Sequence, residues 1–155
     1  MTGPKDYDLE AFRGFKLTAI YGNYTARQPG NIDALTGMPL RSLSLVYYRG
    51  SWEPVRKMSL EELRADSSSL DDLTILANSP IRILALSNAP VSNLAPLDGK
   101  PLEELYIRGT KIRDITLLAK FTKLRKLDIY NLPIKDLTPI QNLPIEDLCL
   151  NYDAS

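Results

Sequence analysis

Apolar residues recur along this chain in a phrase that alternates at its end. Leu102, Leu105 and Ile107 follow the pattern L-x-x-L-x-I, and the same pattern returns at Leu124, Leu127, Ile129 and at Ile145, Leu148, Leu150. Upstream it appears at Ile81, Leu84, Leu86, at Leu40, Leu43, Leu45, and more loosely at Leu60, Leu63, Ala65. The starts at 40, 60, 81, 102, 124 and 145 lie 20 to 22 residues apart. A degenerate copy starts at Leu17, with Ile20 and Gly22, and carries a small insertion before Leu40. The alternation predicts a short strand with one apolar face. In the second half of each copy the apolar residues come three apart, as at Leu70, Leu73, Leu76, at Val91, Leu94, Leu97, at Ile112, Ile115, Leu118 and at Ile134, Leu137, Ile140. That spacing suits a tight turn or a short 3-10 segment. Pro39, Pro80, Pro101 and Pro144 close their copies. A single copy cannot bury its own leucines. Stacked copies share one long core, with each strand beside its neighbours in a parallel sheet. Each fully buried leucine or isoleucine contributes roughly 1.5–3 kcal/mol, so such a core is built by repetition.

The segments Leu102-Glu-Glu-Leu-Tyr-Ile-Arg-Gly-Thr-Lys-Ile-Arg-Asp-Ile115 and Leu124 to Ile140 resemble bacterial leucine-rich repeats of the short, 21–22-residue class, the class of the internalins and of repeats similar to phosphatase regulators. Leu35-Thr-Gly-Met-Pro-Leu40 and Leu97-Asp-Gly-Lys-Pro-Leu102 look like the connecting phrase of those arrays. The resemblance covers about residues 17–152. It implies an α/β solenoid, right-handed and curved, with short parallel strands on the concave face, 3-10 and loop segments on the convex face, and a binding role. Two departures stand out. The ninth position of the repeat, often asparagine in the family, holds Ser68, Ala89, Thr110 and Leu132, so an internal asparagine ladder is not expected; Asn88 and Asn131 lie one place earlier. The second copy, Tyr47-Tyr-Arg-Gly-Ser-Trp-Glu-Pro-Val55, puts Trp52 and Val55 where other copies have leucines, and Trp52 is expected in the core.

Residues 6–16 read as one short helix, capped by Asp6 or Asp8 and stopped at Gly14. Leu9, Phe12 and Phe15 are placed to cover the first copy. The expected organisation is thus a cap segment over 1–16 and a solenoid of about seven copies over 17–155, one domain in all. No matching cap is visible after Leu150. The last strand is expected to leave an edge and part of the core open, to be met by a second copy of the chain in a homodimer, by a partner, or by more of a longer protein.

Composition narrows the chemistry. Nineteen basic and nineteen acidic residues cancel, which gives no reason to expect a polyanion or an anionic membrane. Charge is nevertheless segregated: residues 100–126 carry eight basic and three acidic residues, and 127–155 one basic and five acidic. Lys111, Arg113, Lys120 and Lys123 are expected on the convex side, and a nucleic-acid partner is not favoured because no aromatics interleave them. Histidine is absent and Cys149 is the one cysteine, so neither an internal disulfide nor a Cys–His pair can form. The adjacent carboxylates Asp71-Asp72 and Glu61-Glu62 point to opposite faces if on strands. Phosphate loops, nucleophile turns and zinc spacings are missing. No enzyme activity, cofactor or metal is expected. The N-terminus has no apolar run after a basic start, and no stretch approaches the roughly 18 apolar residues of a membrane span, so the expected address is cytoplasmic.

The exposed strand positions carry what remains. Position 2 of successive copies reads Arg41, Glu61, Arg82, Glu103, Arg125, Glu146. Strands about 4.8 Å apart set each charge between two opposite ones, which predicts a register-fixing ladder. Seven of the eight tyrosines fall on or just after a strand position. Tyr21, Tyr24, Tyr47 and Tyr48 form one candidate patch; Tyr106, Arg108, Asp128, Tyr130 and Tyr152 form the other. Tyrosine and arginine dominate binding hot spots, so these residues are the candidate partner-binding site, with the second patch as its centre. The function expected is a non-enzymatic protein-binding module. The alternatives are an inhibitor or immunity protein that blocks a toxin or enzyme, and the repeat domain of a larger receptor or kinase-linked protein.

Overall fold

A computed structural model describes residues 9–23 and 31–151. Each copy contributes one strand, at Ala19–Asn23 (β1), Ser42–Val46 (β2), Glu62–Arg64 (β3), Ile83–Ala85 (β4), Glu104–Tyr106 (β5), Lys126–Asp128 (β6) and Asp147–Cys149 (β7). The seven pair in parallel and in sequence order, with no crossover. The register follows the repeat: Leu43, Leu63, Leu84, Leu105, Leu127 and Leu148 are strand partners in turn. Backbone hydrogen bonds of 2.7–2.8 Å run from Thr18 through Arg41, Glu61, Arg82, Glu103 and Arg125 to Glu146, so position 2 is stitched from one copy to the next.

Between strands the chain makes short 3-10 segments at Ile32–Leu35, Glu53–Lys57, Leu73–Leu76, Ala95–Leu97, Thr116–Lys120 and Thr138–Ile140. Their starts share a local device. Asn31, Asp72, Asn93, Asp114 and Asp136 each accept a hydrogen bond, at 2.8–2.9 Å, from the backbone N–H two residues on. Such side-chain turns offer the backbone an acceptor where no strand partner exists. Helical segments take more room than strands, so stacking them bends the column with the strands inside the curve.

The core lies between these two sides. Leu43, Leu63, Leu84, Leu105, Leu127 and their neighbours are closed to solvent. Trp52 and Val55 are buried, as their register required. Trp52 meets Tyr48 edge-on, with ring centroids 5.1 Å apart. Among the described residues position 9 is buried at Tyr48, Ser68, Ala89, Thr110 and Leu132 and holds no asparagine ladder; its hydroxyls bond locally instead, Thr110 donating to the Ile107 carbonyl at 2.8 Å and Ser68 accepting from the Leu70 N–H at 3.1 Å. Position 8 explains Asn88 and Asn131. Tyr47, Ser67, Asn88, Gly109 and Asn131 all have φ between 53° and 65°, a left-handed conformation that glycine and asparagine adopt most readily.

At the N-terminal side the expected helix is a single 3-10 turn, Leu9–Phe12, and Gly14 at φ 87° ends it. Asp6 and Asp8 lie outside the described residues. Leu9 is buried and Phe12 packs against the core, but Phe15 is more than half exposed and does not cover the first copy. Phe15 follows the reversal at Gly14 and meets Phe12 edge-on at 6.0 Å. At the other end Leu148 is 40% exposed, whereas its strand partner Leu127 is closed. No helix among the described residues is long and apolar enough to cross a membrane.

Candidate functional site

The position-2 ladder forms along one rim of the sheet. Arg41 meets Glu61 at 2.6 Å, Arg82 grips Glu103 through two bonds of 3.0 Å and lies 4.0 Å from Glu61, and Arg125 meets Glu146 at 2.6 Å. Arg125 acts on Glu103 only through space. These pairs are solvent-exposed and screened by water, so each adds little to stability. Their alternation fixes which strand edge faces which.

Positions 3, 5 and 7 line the strand face itself, and in the C-terminal half they form one connected network. Tyr106, Asp128 and Cys149 are register mates on β5, β6 and β7. Two residues past Tyr106, Arg108 bridges them: it pairs with Asp128 at 2.9 Å, reaches the Cys149 Sγ at 3.4 Å, and lies over the Tyr130 ring at 4.9 Å. Asp128 is buried and also accepts the Tyr130 N–H at 3.0 Å. One carboxylate therefore fixes both the guanidinium and the backbone of the residue stacked beneath it. A cation over an aromatic face adds about 0.5–1 kcal/mol at an exposed site.

Tyr106 is held from two sides. Its hydroxyl donates to Glu104 at 2.8 Å, and Arg64 of β3 lies over its ring at 6.0 Å. Arg64 and Tyr106 sit two strands apart, and Ala85 of β4, buried between them, is small enough to allow the contact. Arg64 is itself anchored by Glu62 at 2.6 Å, and Glu104 by Lys126 at 2.9 Å. Burial, together with the hydrogen bond to Glu104, pushes the Tyr106 phenol up to about 12. Burial works to raise the Glu104 carboxyl as well, but its bonds from Lys126 and Tyr106 outweigh that and hold it below the usual carboxylate range.

The tyrosines expected to bind a partner divide. Tyr106, Arg108, Asp128 and Tyr130 come together as one site. Tyr48 does not belong to any surface: its side chain is buried against Trp52, because position 9 points into the core. Tyr21 and Tyr47 are exposed but separate, since Tyr21 pairs in register with Ser44, three residues before Tyr47. Tyr24 and Tyr152 lie outside the described residues. Arg64, Glu104 and Lys126 were not singled out from the sequence. They occupy positions 3 and 5, rows that also hold Ser42, Ile83, Ser44 and Ala85, so no regular alternation marks them.

Other surface features lie on the 3-10 side. Shallow grooves of about 340 Å³ beside Asp33, Glu53 and Arg56, about 210 Å³ beside Trp52, Asp71 and Asp72, and about 170 Å³ between Asp114 and Asp136 are open to solvent and do not reach the strand face. Lys111, Arg113 and Lys123 are exposed, and Lys120 pairs with Asp98 at 2.7 Å. Among the described residues no cluster of histidine, cysteine, aspartate or glutamate has the arrangement of a metal site.

The repeat and its face have relatives. Residues 102–142 match the family described as Leucine Rich repeats (2 copies). No curated protein matches the chain by sequence. Internalin C2 of Listeria monocytogenes aligns with 18% identity over 86% of this chain and 80% of its own, at a TM-score of 0.44. An internalin, inlF, of Listeria monocytogenes superposes over 93% of this chain with 25% identity and a TM-score of 0.74. The fold is a leucine-rich-repeat solenoid. The solenoid spans 42% of the length of inlF. Leucine-rich-repeat solenoids typically act as scaffolds that bind other proteins.

Proposed function

We propose that this solenoid is a non-enzymatic module that binds another protein through the strand face centred on Tyr106, Arg108 and Tyr130. The stacked Arg108–Tyr130 pair carries the reading. Both side chains are exposed, the buried Asp128 holds the Arg108 guanidinium and the Tyr130 backbone N–H, and neither side chain closes the core. An arginine and a tyrosine held in one conformation lose little side-chain freedom on contact, which is the property of a binding hot spot. A free Cys149 beside them is compatible with the reducing, cytoplasmic address that the sequence favours.

Affinity capture from the native cell, with the wild type and an Arg108→Ala/Tyr130→Ala variant as baits, tests the proposal. A protein retained by the wild type and lost from the variant is the expected result. A partner retained equally by both places the contact elsewhere, and a turnover activity that copurifies with the chain overturns the module reading. A second reading, the repeat domain of a longer receptor or kinase-linked protein, draws support from the 42% coverage of inlF.

A further inference from the structure

A groove between the second and third copies, on the 3-10 side, holds a buried polar group that the fold leaves unused. Trp52 is 6% exposed and forms part of the groove wall, yet its indole Nε1 has no hydrogen-bond partner. The repeat explains how an indole can stand here. Asp72, Asn93, Asp114 and Asp136 hold the matching place in later copies, and each accepts the backbone N–H two residues on. In the second copy that residue is Pro54, which has no N–H to give, so an acceptor would be idle there. Filling the core needs only an apolar side chain such as leucine. The indole brings a donor as well, and a buried donor without an acceptor is costly.

The rest of the groove supplies charge of one sign. Its charged lining residues are Glu53, Asp71 and Asp72, and no described cation lines it. The two arginines of the same copy are engaged elsewhere. Arg56 pairs with Glu53 at 3.2 Å and donates to the Thr74 carbonyl at 3.1 Å, and Arg49 donates to the Ser68 carbonyl at 3.3 Å. Asp71 and Asp72 make no ion pair with a described residue. Asp72 accepts the Thr74 N–H and hydroxyl, one with each oxygen, and a carboxylate has about four acceptor sites, so it keeps room for a cation. We infer that this groove is a second binding site, separate from the strand face, and that it takes a lysine or arginine residue of a polypeptide: the side-chain cation meets Asp71 and Asp72, and a backbone carbonyl accepts from Trp52 Nε1. A donor beside carboxylates asks for a ligand with an acceptor beside a cation, and a basic residue in a peptide carries both. A free polyamine carries the cation alone. The rim includes Gly50 and Ser69, which are small, and the volume, about 210 Å³, exceeds that of one long side chain.

Trp52 is the one tryptophan of the chain, so its indole N–H gives a single proton–nitrogen NMR signal. Titration with N-acetyl-arginine N-methylamide is expected to move that signal saturably, with a dissociation constant of about 1 mM, as suits one residue in an open groove. N-acetyl-norvaline N-methylamide, the same backbone without the cation, leaves the signal in place. Spermidine, the cation without the carbonyl, does not shift it either. Asp71→Asn weakens binding of the arginine compound about fivefold, the upper end for an exposed ion pair, whereas Asp147→Asn, which removes the same charge at β7, leaves it unchanged. In Trp52→Phe, followed through saturation transfer to the ligand, binding also weakens; circular dichroism establishes that this variant is folded, and Asp71→Asn carries the test if it is not. An equal response to the norvaline compound overturns the cation site. An equal indole shift with spermidine overturns the polypeptide as the source. No indole shift with the arginine compound, or equal weakening in the two aspartate variants, overturns the groove altogether. The capture experiment above reads the strand face through Arg108 and Tyr130, so either site can fail without the other.

Discussion

Two single residues carry arguments that the leucines do not. Gly109 has φ +62°, in the row where Asn88 and Asn131 also take the left-handed conformation, and a Cβ on it would stand 2.5 Å from the Asn88 amide oxygen. That oxygen can swing away, so the cost of Gly109→Ala is mainly conformational: about 1–2 kcal/mol by urea denaturation, with Gly109→Asn clearly less costly. Equal effects of the two substitutions would show that crowding, not backbone angle, sets this position. Tyr106 makes a different prediction. Its phenol titrates near 10 unfolded and at about 12 folded, so the folded state holds this proton more tightly. The resulting stabilisation is fully present below pH 10 and is lost as the pH rises through 12. Subtracting the ultraviolet titration of Tyr106→Phe from that of the wild type is expected to leave one phenol with a midpoint near 12; a midpoint near 10 would remove the Glu104 bond from the account. The sequence made Tyr106 visible because the tyrosines gather on or just after the strands, but that rule did not show Tyr48 as a core residue. Tyr106 sits inside its apolar phrase, between Leu105 and Ile107, whereas Tyr48 lies three residues past Leu45, where the left-handed turn at position 8 points position 9 inward.

At the scale of the element, each copy is legible where one residue type repeats and obscure where unlike residues do the same job. The strand leucines and the alternating Arg–Glu row were readable because identity recurs at fixed spacing. The site's second half was not, since Glu104, Lys126 and Arg64 share rows with Ile83, Ala85 and Ser44, and no periodic rule links them. The junction two residues before each apolar phrase shows the same limit. Met38 and Met58 fill it with apolar bulk, while Ser79 and Lys100 fill it with hydrogen bonds. The Ser79 Oγ donates to the Met58 carbonyl at 3.2 Å and accepts the Leu60 N–H at 3.1 Å. Lys100 reaches back one copy and donates to the carbonyls of Leu76, Ala77 and Ser79 at 2.8–2.9 Å, at the C-terminal end of the 3-10 segment Leu73–Leu76. The Leu76 carbonyl also accepts the Ser79 N–H at 2.9 Å, and a cation at this end is favoured by the segment's dipole. Replacing Lys100 by methionine, the residue at the matching position of the second copy, keeps the stem and removes all three bonds. The expected loss is about 1.5–3 kcal/mol in denaturant midpoint analysis, the range for hydrogen bonds to a charged group. A neutral Lys100→Met would mean that the stem, not the ammonium, holds the two copies together.

Over the whole molecule, stability is a sum of copies and of the contacts between neighbours, so the same residue type has a different worth at different depths in the stack. Leu105 on β5 has copies on both sides and is closed to solvent; Leu148, its equivalent on β7, has a described neighbour on one side and is 40% exposed. Glu146 and Asp147 lie beside it, exposed. Within the chain itself, the contrast in burial fixes a gradient. Leu105→Ala opens a cavity in the middle of the column and is expected to cost about 2–5 kcal/mol. Leu148→Ala removes atoms already partly in water, leaves little cavity, and is expected to cost less than about 1.5 kcal/mol. Hydrogen exchange is expected to follow the same order, with the β7 amides opening at lower free energy than those of β4 and β5. Measured on the chain alone and dilute, equal costs at the two leucines would mean that β7 is covered by something the column does not itself provide, and the comparison would then locate the cover at Leu148.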